Sequence, residues 1–549
     1  MIAAIAVLAA ALLPNVSSSL TVWGDFRQAK YPGFLEYAIL FTSTGGSAER
    51  DLFADPADES RLDDYDFTHL LTNCRNVLAS GLKPNLHLGN VPVKFTKGCD
   101  PRRIKAGGKD GGSFGFNVRP PDDYAVYAAY MKAIAEALVG AFGRDEVRIW
   151  RFSVLTEANN RHWFEARDGT KKSTREAFFR LYDCTVKAFT DVLGGDIVIG
   201  THLLGSDNDA EMMMFDHRDV IDHCKRTGMP LRLLAFSYYC DHPDDDGDNP
   251  AAGRLTDFAK FRKALDAAGF SDTIVAMEEG RVYGTKNEGT GRWREQLPTR
   301  AVGQSWQAAF DVRAAKSAFD AGGSYVASWG HLSGANAAYE GLPTVSFLTA
   351  RELAKFAGMR PYRAEIVADV VSPKDQVDVI AAVDAAGRTV RLATCRFRDR
   401  LTFSDELTAK VRVALPEAMR GKTVQLSVLT VDDRNNWFTD WIADRKAAGI
   451  GRERYSGSLD EQAPPMSLSD AAAQRLFAEK SRTAYAAKAA KVGPIPSDLA
   501  VPPDGVVEIP VSLVGNVAVF LAMRLRQEDS GGRTVMVGGA VVAWRCEMR

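Results

Sequence analysis

The chain lacks a charge of one sign and any organised cysteine. Of its 549 residues 68 are basic and 70 acidic, a formal net charge of -2. So near a balance gives no reason to expect nucleic acid or an anionic membrane as a partner. The seven cysteines (Cys74, Cys99, Cys184, Cys224, Cys240, Cys395 and Cys546) are odd in number and widely spaced. None forms a CxxC pair, so neither a disulfide framework nor a zinc site is indicated. No internal stretch reads as long and apolar enough to span a bilayer. No GK[ST] follows the glycines of residues 95–121, which argues against a phosphate cradle. A long loop after a barrel strand more often shapes a substrate cleft. The acidic run Asp244-Asp245-Asp246-Gly247-Asp248 lacks the twelfth-position Glu of a calcium loop and reads as a solvated loop. No metal or organic cofactor is expected. The apolar start, MIAAIAVLAAALLPNVSSS, lacks the Lys or Arg that should precede it. It still has the h-region and small residues of a secretory signal peptide over residues 1–19, which predicts a secreted or periplasmic protein. A buried first strand, or a start codon called in the wrong place, is the alternative, and leaves a cytoplasmic protein open.

What is present is a soluble globular composition, 46% hydrophobic and 25% charged. The length suffices for a barrel and a second domain. Short apolar strands are predicted at residues 20–24, 34–42, 82–91, 147–155, 196–202, 232–239, 273–279 and 323–329. Helical periodicity falls between them, over 65–80, 122–142, 173–193, 209–227, 255–268 and 300–321. That alternation predicts parallel strands closed into a (β/α)8 TIM barrel over residues 20–360, an α/β fold, with a doubly wound open sheet as the alternative. From residue 361 the pattern changes to alternating, β-branched stretches at 377–384, 389–397, 409–414, 423–431, 505–525 and 535–545. They predict a C-terminal antiparallel β-sandwich with a helical insertion over roughly residues 437–490.

The stretch VRIWRFSVLTEANN, residues 147–160, is the centre of the functional reading. An apolar strand ends abruptly in Thr156-Glu157-Ala158-Asn159-Asn160. A carboxylate at the mouth of a buried strand is where a barrel enzyme places an acid/base group. A later strand, TIVAMEE, ends in a second carboxylate pair, Glu278-Glu279, followed by Gly280. Two carboxylates facing each other across a glycosidic bond are the requirement of a retaining glycosidase, at about 5–5.5 Å. Period-2 geometry should point Glu278 and Glu279 to opposite faces, leaving one of them towards the barrel axis.

Three stretches resemble glycoside hydrolase family 39, the β-xylosidase and α-L-iduronidase relatives. Thr156-Glu157-Ala158-Asn159 keeps two positions of that family's Asn-Glu-Pro-Asn motif. YDFTHLLTNCRNVLASGLKPNLHLGNVP is similar to its helix leading into a strand of the pattern LKPFVELGFMP. LTVDDRNNWFTDWIADRKAAGI is similar to a segment of its β domain. The resemblance implies a retaining hydrolase of oligo- or polysaccharides, with Glu157 as acid/base and Glu278 as nucleophile, and Glu279 as the alternative one residue on. It also implies a tyrosine near the nucleophile, Tyr238 or preferably Tyr239. Trp329 matches an aromatic floor under the sugar. His202, His87 and Asn90, at other strand ends, are further candidate contacts to sugar hydroxyls. Thr156 stands where the family's Asn meets the sugar 2-hydroxyl, and Ala158 replaces the motif's Pro. Both departures fit a changed specificity, and both also fit a silent carbohydrate-binding protein on a glycosidase scaffold.

Overall fold

The computed structural model describes residues 12–526, apart from 23, 48–49, 99–114, 206–210, 241–254, 283–303, 330–341, 369–370, 401–402 and 450–470. Eight parallel strands form the N-terminal half: β1 (Ser19–Val22), β2 (Tyr37–Leu40), β3 (Lys83–Leu88), β4 (Arg151–Val154), β5 (Val198–Leu204), β6 (Leu233–Cys240), β7 (Ile274–Val282) and a last strand broken at Ala327 into β8 (Tyr325–Val326) and β9 (Ser328–Trp329). Each pairs with its neighbour in sequence, and β9 pairs back onto β1, which closes the ring. Side chains alternate along each strand. Leu86 and Leu88, Phe152 and Val154, Phe236 and Met277 face the helical shell and join one large apolar cluster. The opposite parity faces the axis. There a small apolar plug of Ile39, Phe41, Ala276, Tyr325 and Ala327 shares the space with buried Asn85, His87, Ser153, His202, Ser237 and Glu278.

Some boundaries differ from expectation. The strand predicted over 147–155 is shorter, because residues Arg144–Val147 close a helical turn instead. Asp145 and Glu146 sit in that turn's first residues, and the Trp150 indole donates to Glu146 Oε1 at 2.9 Å, so the segment is held as a turn until Arg151. The helix Tyr124–Phe142 is, contrary to the sequence expectation, long and apolar enough to cross a membrane by length and composition. It buries Tyr127, Tyr130, Met131, Ile134, Ala135 and Leu138 as one stripe in the barrel's outer core, and is capped by Asp123, whose side chain accepts from Ala125 N and Val126 N. Of the apolar start, residues 1–11 lie outside the described residues. Leu13 and Val16 are buried at the base of the barrel, with Leu13 N donating to Met359 O at 2.8 Å and Val326 N to Val16 O at 2.9 Å.

The C-terminal half is an antiparallel sandwich. A six-stranded sheet runs β10-β12-β13-β18-β15-β16, where these are Arg360–Pro361, Gln376–Val383, Thr389–Phe397, Val517–Leu525, Thr423–Val431 and Ile495–Ala500. It faces a three-stranded sheet, β11-β14-β17, of Ala364–Val367, Glu406–Ala414 and Val506–Val514. The burial of β14 and β17 alternates strictly, one residue in and one out. The single stretch predicted over 505–525 is thus two strands of different sheets, joined at Gly515-Asn516; the strand predicted at 535–545 lies outside the described residues. Helices Trp437–Ala447 and Ala471–Lys480 make the insertion, packed around Trp437, Phe438, Trp441, Phe477 and Tyr485. Trp306 and Phe310 of the barrel pack on Phe397 of the sandwich, and Arg313 pairs with Asp378 at 2.7 Å.

Candidate active site

At the end of β4 the chain turns sharply. Leu155 and Glu157 both take left-handed backbone angles, φ 64° and 42°, and neither is glycine. Such angles cost free energy and persist only where surrounding contacts hold them. Gly89 makes the turn possible: a Cβ there would lie 2.5 Å from Leu155 Cδ2. Glu157 is buried, and Asn160 Nδ2 donates to its Oε2 at 2.7 Å. Its backbone N–H donates to His202 Nδ1 at 3.2 Å. Burial raises the Glu157 carboxyl above the usual carboxylate range, partly offset by hydrogen bonds from Ser237, Asn160 and Trp163.

At the end of β7 the pairing slips. Phe236 pairs with Met277, but the next residue of β6, Ser237, pairs with Glu279. Glu278 is the extra residue of a β-bulge. Gly280 completes it at φ 139°, where a Cβ would lie 1.8 Å from Tyr238 O. The bulge suspends the alternation that should have separated Glu278 from Glu279. Both carboxylates turn to the inside, at different depths and with different partners.

Glu278 lies deep in the axis. Its Oε1 accepts from Asn85 Nδ2 at 2.7 Å and from the Tyr325 hydroxyl at 2.6 Å, and its Oε2 lies 2.8 Å from His87 Nε2. The Thr21 hydroxyl donates to its backbone carbonyl. Burial pushes its carboxyl up, but the His87 hydrogen bond and charge and the Tyr325 hydroxyl outweigh that and hold it at about 2. Glu278 is therefore ionised with its donors in place. Glu279 lies nearer the mouth. The Tyr239 hydroxyl donates to its Oε1 at 2.5 Å, while its Oε2 has no hydrogen-bond partner among the described residues. Burial and then the charge of Glu157 push Glu279 well above the usual range; the charge of Glu278 adds to this, and Tyr239 and Ser237 oppose it. The carboxylate coupled to Glu157 is thus Glu279.

The other predicted residues divide. Tyr239 meets Glu279. Tyr238 does not join it: the next position along β6 faces outwards, and its ring packs 6.1 Å from that of Phe310 in the outer core. That corrects its candidacy as a sugar contact. Asn90 is buried and spends its amide on loop carbonyls, those of Trp163 at 2.9 Å and Asn117 at 3.2 Å. His87 and Thr156 bond each other, Nδ1 to Oγ1 at 2.9 Å. His202 is held neutral, its pKa lowered to about 3 by burial and then by the charge of His87. Its Nε2 therefore carries the proton towards Ser237 Oγ at 3.0 Å, while Nδ1 accepts from Glu157. Trp329 pairs with Thr21 through its backbone, and its side chain lies outside the described residues, as does the acidic run at 244–248. Asn85, Asn160, Ser237 and Tyr325 are site residues that the sequence reading missed. Asn85 shares the parity of His87 on β3, and Gly280 inside a strand was a bulge signal.

His87, His202 and Glu278 bring potential metal-ligand atoms within 4.8 Å of one another. Those atoms already bond each other, Thr156, Ser237 and the Glu157 amide, which makes the group a hydrogen-bond network.

Barrel, sandwich and paired glutamates at the ends of β4 and β7 define a scaffold of the glycoside hydrolase type. More narrowly, the model of glycosyl hydrolases family 39 matches residues 52–279. It is 26% identical over 186 residues to a β-xylosidase of Geobacillus stearothermophilus, 32% of this chain and 33% of that one. It is 21% identical over 358 residues to an α-1,4-L-rhamnosidase of Formosa agariphila, 64% of this chain and 66% of that one. The chain thus spans about a third of the length of the xylosidase it matches. A monomeric β-xylosidase from Caulobacter crescentus CB15 superposes with a TM-score of 0.56 at 16% identity, covering 94% of this chain and 98% of that one. The GH39 enzyme of Xanthomonas axonopodis pv. citri gives 0.57 at 16%, covering 94% and 96%. These two likenesses show the fold.

Proposed function

We propose that the chain is a retaining glycoside hydrolase in which Glu157 is the acid/base and Glu279 the nucleophile. The observation that carries the reading is that Glu279 has the Tyr239 hydroxyl on one oxygen, while its other oxygen has no hydrogen-bond partner among the described residues. Glu278, where the sequence reading puts the nucleophile, is committed to three donors in the barrel axis.

In the proposed reaction Glu157 donates a proton to the leaving oxygen while Glu279 attacks the anomeric carbon. Glu157 then takes a proton from the water that releases the sugar. Two carboxylates whose charges act on each other titrate as a pair, and one proton stays on them to higher pH than on either alone. Burial raises both carboxyls, Glu279 the further, and the Tyr239 hydroxyl opposes that rise at Glu279; the proposed roles place the shared proton on Glu157 once substrate is bound. The substrate class is an oligo- or polysaccharide. The sugar itself follows from a screen of aryl glycosides that includes the xylosides and rhamnosides suggested by the relatives' names.

The test is a trap. A 2-fluoro glycoside of a sugar the protein hydrolyses, with a good leaving group, accumulates the glycosyl-enzyme. Peptide mapping is expected to find the label on Glu279. A label on Glu278 returns the nucleophile to the sequence register and keeps the mechanism. No label, with inversion at the anomeric centre seen by NMR, sinks the retaining reading. No hydrolysis of any glycoside, with saturable sugar binding, favours a silent binding protein.

A further inference from the structure

We propose that Glu278, His87 and Thr156 form a positioning relay that, together with His202, holds the strained acid/base turn, so that Glu278 serves catalysis without touching the reacting atoms. The proposal rests on the reading of Glu157 as the acid/base.

The turn needs holding, since residues 155 and 157 are both left-handed. Thr156, between them, is buried and is the one residue of the three whose side chain hooks into the axis, through Oγ1 to His87 Nδ1 at 2.9 Å. Glu157 is caught by its own backbone N–H on His202 Nδ1. The two imidazoles lie side by side, ring centroids 5.1 Å apart, with Phe41 against both. Two histidines therefore clamp two successive residues of one turn.

Each imidazole is fixed from behind. Ser237 Oγ fixes His202 at Nε2, and Glu278 Oε2 fixes His87 at Nε2. An ionised carboxylate only accepts, so the proton of that bond belongs to His87 Nε2. At Nδ1, neutral His87 accepts the Thr156 hydroxyl proton, and protonated His87 donates to the hydroxyl oxygen. The link stands in both states. Asn85 and Tyr325 in turn fix the second oxygen of Glu278, so each member has its direction set by the one before. A buried carboxylate held by three donors is costly to build and adds little net stability. Its use here is directional: it aims an imidazole that aims a hydroxyl.

The test uses the leaving group as a meter. A residue acting through Glu157 must show the signature of Glu157, a loss that grows as the leaving group worsens. Kinetics of the full chain are measured on an unactivated glycoside and on a dinitrophenyl glycoside of the same sugar. Thr156→Val is expected to lower kcat/KM on the first by about ten- to a hundredfold, as a small misplacement of a reacting group does, and to leave the second nearly unchanged. Thr156→Ser, which keeps the hydroxyl, is expected to restore it. Glu278→Gln is expected to follow Thr156→Val, and to keep the fluoroglycoside label on Glu279. If Glu278→Gln fails to fold, the Thr156 pair decides alone. Equal losses on both substrates, or no loss in Thr156→Val, overturn the relay. A Glu157→Ala control without leaving-group dependence indicts the acid/base reading instead, so the two failures are told apart.

Discussion

The axis of the barrel and the interior of the sandwich are both sealed from water, and they are filled in opposite ways. The sandwich is mostly apolar, with Val390, Leu392, Val411, Val413, Leu513, Leu521 and Met523 all buried between its sheets and a buried Arg396–Asp375–Arg398 cluster at one end. The axis carries Asn85, His87, His202, Ser237, Glu278 and Tyr325, each tied to another by a hydrogen bond. Apolar burial is non-directional, and any side chain of the right volume serves. A buried polar network is directional, and every member needs its partner. The sandwich therefore stabilises, while the axis also aims, and the residues it aims stand at the mouth where β4 and β7 end.

Four changes test that contrast, in falling order of effect. Glu279→Ala at the mouth is expected to lower kcat/KM by about three or more powers of ten on every glycoside, as loss of a nucleophile does. Glu157→Ala spares activated aryl glycosides, and azide rescues it. A Glu279→Ala protein that still turns over at near the normal rate removes Glu279 from the chemistry. In the sandwich, Leu392→Ala is expected to cost about 2–5 kcal/mol in denaturant unfolding, with kcat/KM of the folded protein unchanged. An activity loss there, in protein that is still folded, breaks the division between the two interiors. In the axis, Tyr325→Phe removes one donor from Glu278 without changing the volume. It should cost about 1–3 kcal/mol, more than the volume-conserving Leu521→Met in the sandwich.

A further test is one of pH. His202 is buried neutral with its pKa at about 3, against 6.5 when unfolded. Above pH 6.5 neither state binds this proton, and its contribution to stability is full. Below it the unfolded chain binds the proton and the folded one does not, so stability falls with pH down to about 3, by at most about 1.4 kcal/mol per unit. His202→Gln should flatten that part of the stability curve. An unchanged slope shows that His202 takes up its proton without unfolding.

The strand ends themselves were readable. The hydrophobic alternation carries the barrel, and a polar cluster after an apolar run puts Glu157 where β4 stops. The choice of tyrosine on β6 was half readable. Parity separates Tyr239 from Tyr238, but only the neighbouring strand tells which parity is inside. The four missed residues are ordinary polar side chains in strands and a loop, and nothing in composition separates them from solvated ones. They became part of the site because the barrel brings strands three, four, six and eight to one axis.

The sequence by itself determined that strands and helices alternate, that a second β domain follows, and that carboxylates end the fourth and seventh strands. Local patterning suffices for these, because periodicity and turn residues act within a few positions. Tertiary structure alone set the surroundings of Glu278 apart from those of Glu279. A bulge belongs to the register between two strands, β6 and β7, and not to either strand alone. The slip between Phe236 and Ser237 sends Glu278 down to His87 and leaves Glu279 facing Tyr239 and Glu157.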